Sequence, residues 1–173
     1  SSTFMMRTHV AKDIGGFDPD YGYLYEDIDI SWRVWLAGHK VLYFSSLESV
    51  HMMSVTASST YSPWRRQFMS KRNKMVTFLK NLEWFTLIRF SPIILMVLLV
   101  ELIILKPKGA IFMGNIDPFL NFKKILKKRK EIKKFRKNTD KEIVVLFVSD
   151  HWKVIKRCIG SNLKFNTFLS KRN

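Results

Sequence analysis

Glu26, Asp27 and Asp29 stand together immediately after Tyr25, at the start of a segment whose apolar residues have helical spacing. Carboxylates in the first turn of a helix are kept ionised by the partial positive charge of the helix dipole. An ionised carboxylate held still beside a ligand can take a proton from a hydroxyl, which is general-base chemistry. Asp27 suits that role because it follows an aromatic turn, Gly15-Gly16-Phe17-Asp18-Pro19-Asp20, that could hold a polar ligand against it. Asp29 and Arg33 stand four residues apart and read as an ion pair along an exposed helix face. His51, taken alone, reads as a satisfied polar residue.

Spacing also outlines the elements that must position these groups. Gly15-Gly16 supplies a backbone free to take positive φ, so Phe17 can turn inward while Asp18-Pro19-Asp20 makes an exposed turn. From Asp27 to Leu36, the residues Ile28, Trp32, Trp35 and Leu36 share one helix face, and Gly38 suits a left-handed helix end. Lys40 to Phe44 reads as a strand that leads through a short connection to His51. Pro63 opens a further helix carrying Lys71-Arg72-Asn73-Lys74.

Phe4-Met5-Met6-Arg7, the Gly-Gly-Phe-Asp turn, the run from Tyr25 to Arg33, Gly38-His39-Lys40-Val41 and Val50-His51 form one longer pattern. Together they resemble the acceptor-side half of family 2 glycosyltransferases, in the rhamnosyltransferase-like branch. The likeness is close over residues 1 to about 60 and looser to about 80. It implies an inverting transfer of a sugar from a nucleotide-sugar donor to a hydroxyl of a glycan or lipid-linked acceptor. On this resemblance Asp27 is the general base, and Gly16, Phe17, Asp18 and Glu26 contact the acceptor. His51 would complete the coordination of a divalent cation, Mn²⁺ or Mg²⁺, on the donor diphosphate, although Ser54 stands where relatives often carry glycine. Arg72 falls in an Arg-Asn element that follows the catalytic core and could help neutralise a donor or lipid phosphate; a solvated basic helix is the alternative.

Both Asp-x-Asp strings, Asp18-Pro19-Asp20 and Asp27-Ile28-Asp29, lie inside the acceptor-side pattern. The donor-metal motif and the nucleotide-binding βαβ units are therefore expected upstream of Phe4. The expected fold is α/β, a GT-A-type mixed sheet truncated at its N-terminus over residues 1–80. The chain reads as a piece beginning inside a domain or as the product of a truncated gene, and as inactive alone. The non-enzyme alternative is a membrane-bound remnant or basic interaction module.

Charge divides the chain. Residues 1–50 carry four Lys or Arg against seven Asp or Glu, whereas residues 106–141 carry 13 against three, within a total of +16. Between these parts, Trp84 to Leu105 is mainly apolar and contains Arg89, Pro92 and Glu101. A bilayer-spanning helix needs about 20 mainly apolar residues. The stretch is expected to lie in one leaflet, with a single span and a buried soluble helix as the other readings. From Lys123 to Lys137, ten of 15 residues are Lys or Arg, and Ile125, Ile132 and Phe135 form an apolar stripe among them. Residues 81–141 are thus expected to be membrane-associating helices on an anionic surface, with the positive charge placing this side in the cytoplasm. No zinc-finger, RNA-recognition or helix-turn-helix pattern accompanies the basic run, so nucleic acid is not the expected partner.

Residues 142–173 form a tail of unassigned role. Glu142 to Val148 reads as a buried strand and His151 to Cys158 as a short helix. Cys158 is the sole cysteine, which excludes an intrachain disulfide.

Overall fold

The computed structural model describes residues 4–42 and 60–147. Helices make up 75% of these residues, and among them there is no strand. The expected mixed α/β sheet is overturned: the fold is all-helical. Its elements are α1 (Thr8–Asp13), a 3-10 turn (Pro19–Tyr21), α2 (Glu26–Leu36), α3 (Pro63–Asn81), α4 (Trp84–Ile104), α5 (Lys108–Leu120), α6 (Phe122–Phe135) and α7 (Asp140–Phe147). Residues up to Asp140 form one compact unit, and residues 141–173 form a second, described only through Phe147.

The two expected strands fail for different reasons. Lys40, Val41 and Leu42 have no regular structure and are exposed, while Tyr43, Phe44 and His51 lie outside the described residues. Glu142 to Phe147 belong to α7 instead. A β-branched run prefers a strand by only about 1 kcal/mol, and without a partner strand it must satisfy its backbone within itself. Asp140 starts that helix, with its carboxylate accepting from the Glu83 N–H at 2.6 Å and from Arg136 at 2.6 Å.

α3 organises the first unit. Ser62 caps it by accepting from the Arg65 N–H at 3.2 Å, and Pro63 occupies the first position, where no donor is lost. α5 runs closely along it at Gly114, where an added Cβ would stand 2.6 Å from the Phe68 carbonyl oxygen. Tyr21, Met75, Val76, Leu79 and Ile125 form one apolar cluster, and Leu87, Ile94 and Leu98 of α4 pack against it. Val10, Ile14, Ile30, Val34 and Ala37 form a second between α1 and α2, with Phe135 packed on it.

Two helix faces differ from expectation. In α2 the buried apolar residues are Ile30, Trp32, Val34 and Leu36, while Ile28 is 45% exposed, because the helix turns its Asp29–Arg33 pair inward. In α6 the apolar stripe does not face outward to lipid: Ile125 and Ile132 are buried in the protein, and the exposed side is lysine. α4 is long and apolar enough to cross a membrane, with a mean hydropathy of 2.5.

Candidate functional site

The start of α2 is backbone-strained. Leu24 and Tyr25 both take left-handed conformations, with φ of 70° and 69°. Non-glycine residues seldom adopt this region, and such strain persists only where surrounding contacts over-determine it. Asn73, fully buried on α3, is that contact. Its Nδ2 donates to the carbonyl oxygens of Tyr21, Tyr23 and Leu24 at 2.9, 2.8 and 2.8 Å. The loop is further tied by the Tyr21 hydroxyl, 2.7 Å from the Thr77 hydroxyl. The next two residues are Glu26 and Asp27.

The acidic residues then sort into two groups. Asp29 is fully buried and accepts from Arg33 at 2.9 Å, Lys80 at 3.0 Å and Asn81 at 2.9 Å, so the expected surface ion pair is an internal one. Arg33 also donates to the Ile14 carbonyl at 2.7 Å, fastening α2 to α1. Asp18, expected on an exposed turn and in contact with an acceptor, is paired with Lys80 at 2.6 Å and Lys128 at 2.5 Å. Burial works to raise its pKa, but the two ammonium groups outweigh burial and hold it at about 2. Asp20 pairs with Lys128 as well, at 2.6 Å. Burial draws the Lys80 pKa down, while Asp29 and Asp18 oppose that. Burial likewise pushes the Tyr21 hydroxyl well above its ordinary value, reinforced by the Asp29 charge.

Glu26 and Asp27 form the second group. Both are half-buried. Partial burial works to raise the Asp27 pKa; the ammonium at the start of the chain, and after it the Ile28 N–H at 2.8 Å, work the other way and hold it below the ordinary aspartate value. Glu26 Oε2 is buried with no hydrogen-bond partner among the described residues. A buried polar atom without a partner is costly and asks for a reason. The pair therefore presents an ionised carboxylate beside one with unused accepting capacity.

The remaining expected site residues fall apart in space or in role. Gly16 has φ of 63°, as the turn requires, but Phe17 is 49% exposed and meets the Phe4 ring at 5.5 Å instead of turning inward. Arg72 donates to Asp117 at 2.9 Å, to the Asp20 carbonyl at 2.8 Å and to Asn73 at 2.9 Å, so its guanidinium works as a brace between α3, α5 and the 3-10 turn. Among the described residues no group of three His, Cys, Asp or Glu converges as a metal site.

Two open clefts lie elsewhere on the same unit. One of about 570 Å³ lies between Pro19–Gly22 and the N-terminal half of α3, where Trp64 and Phe68 stack at 5.4 Å. The other, about 510 Å³, lies between residues 12–15 and the C-terminal end of α6. Asp27 lines neither. Asn73, Lys80, Asn81 and Lys128 were missed from sequence because their partners lie tens of residues away, beyond any local spacing rule. Asn73 sat beside Arg72 in the motif that drew notice, and the neighbour was the residue that mattered. No family model matches the chain, and no curated protein and no solved structure matches it either.

Proposed function

We propose that this chain is the acceptor-side part of a membrane-attached, inverting glycosyltransferase, with Asp27 as the base that deprotonates the acceptor hydroxyl. The observation that carries this reading is the strained Leu24–Tyr25 turn, clamped by Asn73, which delivers Glu26 and Asp27 to the open end of α2. Strain held by a dedicated buried amide marks a place where geometry is needed for function. Asp27 stands in the first turn of α2, where the helix dipole favours its ionised form, and Glu26 Oε2 has the capacity to accept a hydrogen bond from a second acceptor hydroxyl. The resemblance over residues 1 to about 60 supplies the sugar chemistry: a nucleotide-sugar donor, a glycan or lipid-linked acceptor, and Mn²⁺ or Mg²⁺ on the donor diphosphate. His51 is the residue of this chain that would reach such a cation, and it lies outside the described residues.

The membrane enters through α4, whose length and apolarity suit a bilayer. Exposed lysines on α6 suit anionic headgroups, and positive charge beside a membrane favours the cytoplasmic face. The decisive test is transfer by the complete gene product with Asp27→Asn. Loss of turnover by at least a thousandfold, with donor binding and helix content kept, supports the role; normal turnover removes it. A second reading, a non-catalytic membrane-bound module, is favoured by one observation: Asp27 lines neither cleft. Turnover that is absent from the complete product as well would favour that module.

A further inference from the structure

α4 carries two different stripes. Leu87, Ile94 and Leu98 pack against the cluster on α3 and α6, and Glu101, one turn further along the same side, accepts from Lys71 at 2.9 Å and Lys74 at 2.7 Å. Phe85, Ile88, Leu95, Leu99 and Ile103 form an opposite stripe, each at least 59% exposed, and Ile93, Met96, Val100 and Ile104 widen the exposed apolar face beside it. The stripe's spacings of three, seven, four and four are one helix face. The inner contacts tie α4 to α3 at two places, through Leu87, Ile94 and Leu98 on the shared cluster and through Glu101 on Lys71 and Lys74. α3 itself bears Lys71, Arg72, Lys74 and Lys80 and the buried amide Asn73.

A spanning orientation of α4 would carry those groups into the hydrocarbon with it. An orientation parallel to the bilayer leaves them on the water side and sinks only the opposite stripe. α5, joined to α4 by Leu105–Pro107 and packed on it, adds exposed Phe112, Met113, Phe119 and Leu120. Its flanks carry exposed Lys106 and Lys108 at one end and Lys123 and Lys124 just beyond the other. Arg89 stands about a quarter-turn from the apolar stripe of α4, where its stem can follow the surface to a headgroup. Trp84 is clamped under the Arg129 guanidinium, 3.9 Å above its ring, which ties the start of α4 to the cationic helix.

We infer that α4 and the outer face of α5 lie in the plane of one membrane leaflet, so that the protein is monotopic, with anionic phospholipid as its partner. The inference deepens the membrane attachment proposed above and does not depend on glycosyl transfer.

The test uses the full chain with Cys158→Ser and one new cysteine, at Ile88, Leu95 or Ile103, labelled with an environment-sensitive fluorophore. Each variant is checked for helix content and reconstituted into vesicles of equal parts phosphatidylglycerol and phosphatidylcholine bearing shallow or deep spin-labelled lipid. The expected result is one common ratio of deep to shallow quenching at all three positions. Deep quenching at Leu95 with shallow quenching at Ile88 and Ile103 would establish a span and overturn the in-plane arrangement while leaving attachment intact. Folded protein that shows no quenching at any position, and does not float with the vesicles, would overturn attachment itself.

Discussion

Asp18 shows how a single carboxyl group reports the packing around it. Its pKa in the folded chain is about 2, against 3.8 for an ordinary aspartate, because Lys80 and Lys128 outweigh the cost of burial. A carboxyl whose folded pKa is depressed stabilises the fold fully above its unfolded value, and that contribution disappears as pH falls through the folded value. Acid titration followed by circular dichroism should therefore show a loss of stability between about pH 4 and pH 2. Lys80→Met should move this loss to higher pH and lower stability at neutral pH by about 3 kcal/mol, since it leaves Asp29 and Asp18 buried with fewer partners. An unchanged acid midpoint would mean that Lys80 does not hold Asp18 ionised. Asn73 acts differently, on backbone rather than charge. Asn73→Leu strips three carbonyls of their donor and should cost about 3 kcal/mol in a urea melt. Thr77→Val, which removes only the hydroxyl beside Tyr21, should cost about 1 kcal/mol.

Elements carry the clearest contrast between what sequence discloses and what packing decides. The helix after Tyr25, the helix from Pro63 and the apolar helix from Trp84 were all legible, since capping residues and apolar spacing are local signals. The inward face of α2 was not, because Asp29 and Arg33 look like a surface pair until Lys80 and Asn81 arrive from α3. The same holds for α6: its stripe of Ile125 and Ile132 was visible, but whether it met lipid or protein depended on a cluster centred near Met75. The tail run from Glu142 to Phe147 reads as a strand by composition and folds as a helix, with no strand to pair with among the described residues. Of the candidate site, the Glu26-Asp27 pair was legible and its Asn73 clamp was not. Gly114 supplies a test at this scale. Alanine gains about 1 kcal/mol of helix propensity over glycine, yet its Cβ would meet the Phe68 carbonyl oxygen at 2.6 Å and the Lys71 Cβ at 3.0 Å. Forced separation of packed backbones costs about 1–3 kcal/mol, so Gly114→Ala should destabilise on balance, by about 1 kcal/mol. A thermal melt that rises with this substitution would show that α3 and α5 part easily.

For the whole molecule, the positive charges fall into two groups, those paired inside the fold and those left exposed, and α6 carries both. Lys128 joins Asp18 and Asp20, while Arg129 donates to the Leu82 carbonyl at 2.6 Å and to the Leu79 carbonyl, so these two cations build the fold. Lys123, Lys127 and Lys130 recur at four and three on the side away from Ile125 and Ile132 and are exposed. An exposed lysine near an anionic membrane contributes about 1 kcal/mol of attraction. Replacing those three by glutamine should thus weaken binding to phosphatidylglycerol vesicles roughly a hundredfold at low salt. The melting temperature should stay near that of the parent, because exposed charges without close partners add little to stability. Lys128→Gln should do the reverse, lowering stability by about 2 kcal/mol with a vesicle affinity reduced only about fivefold. The two outcomes are measured on the same pair of assays, co-sedimentation and thermal melting. If the triple substitution melts the protein, or if it leaves anionic binding intact, the division between structural and membrane-seeking charge is wrong. If the division holds, α6 is a protein-facing strut with a lipid-facing coat, and the attachment is electrostatic at α6 and apolar at α4.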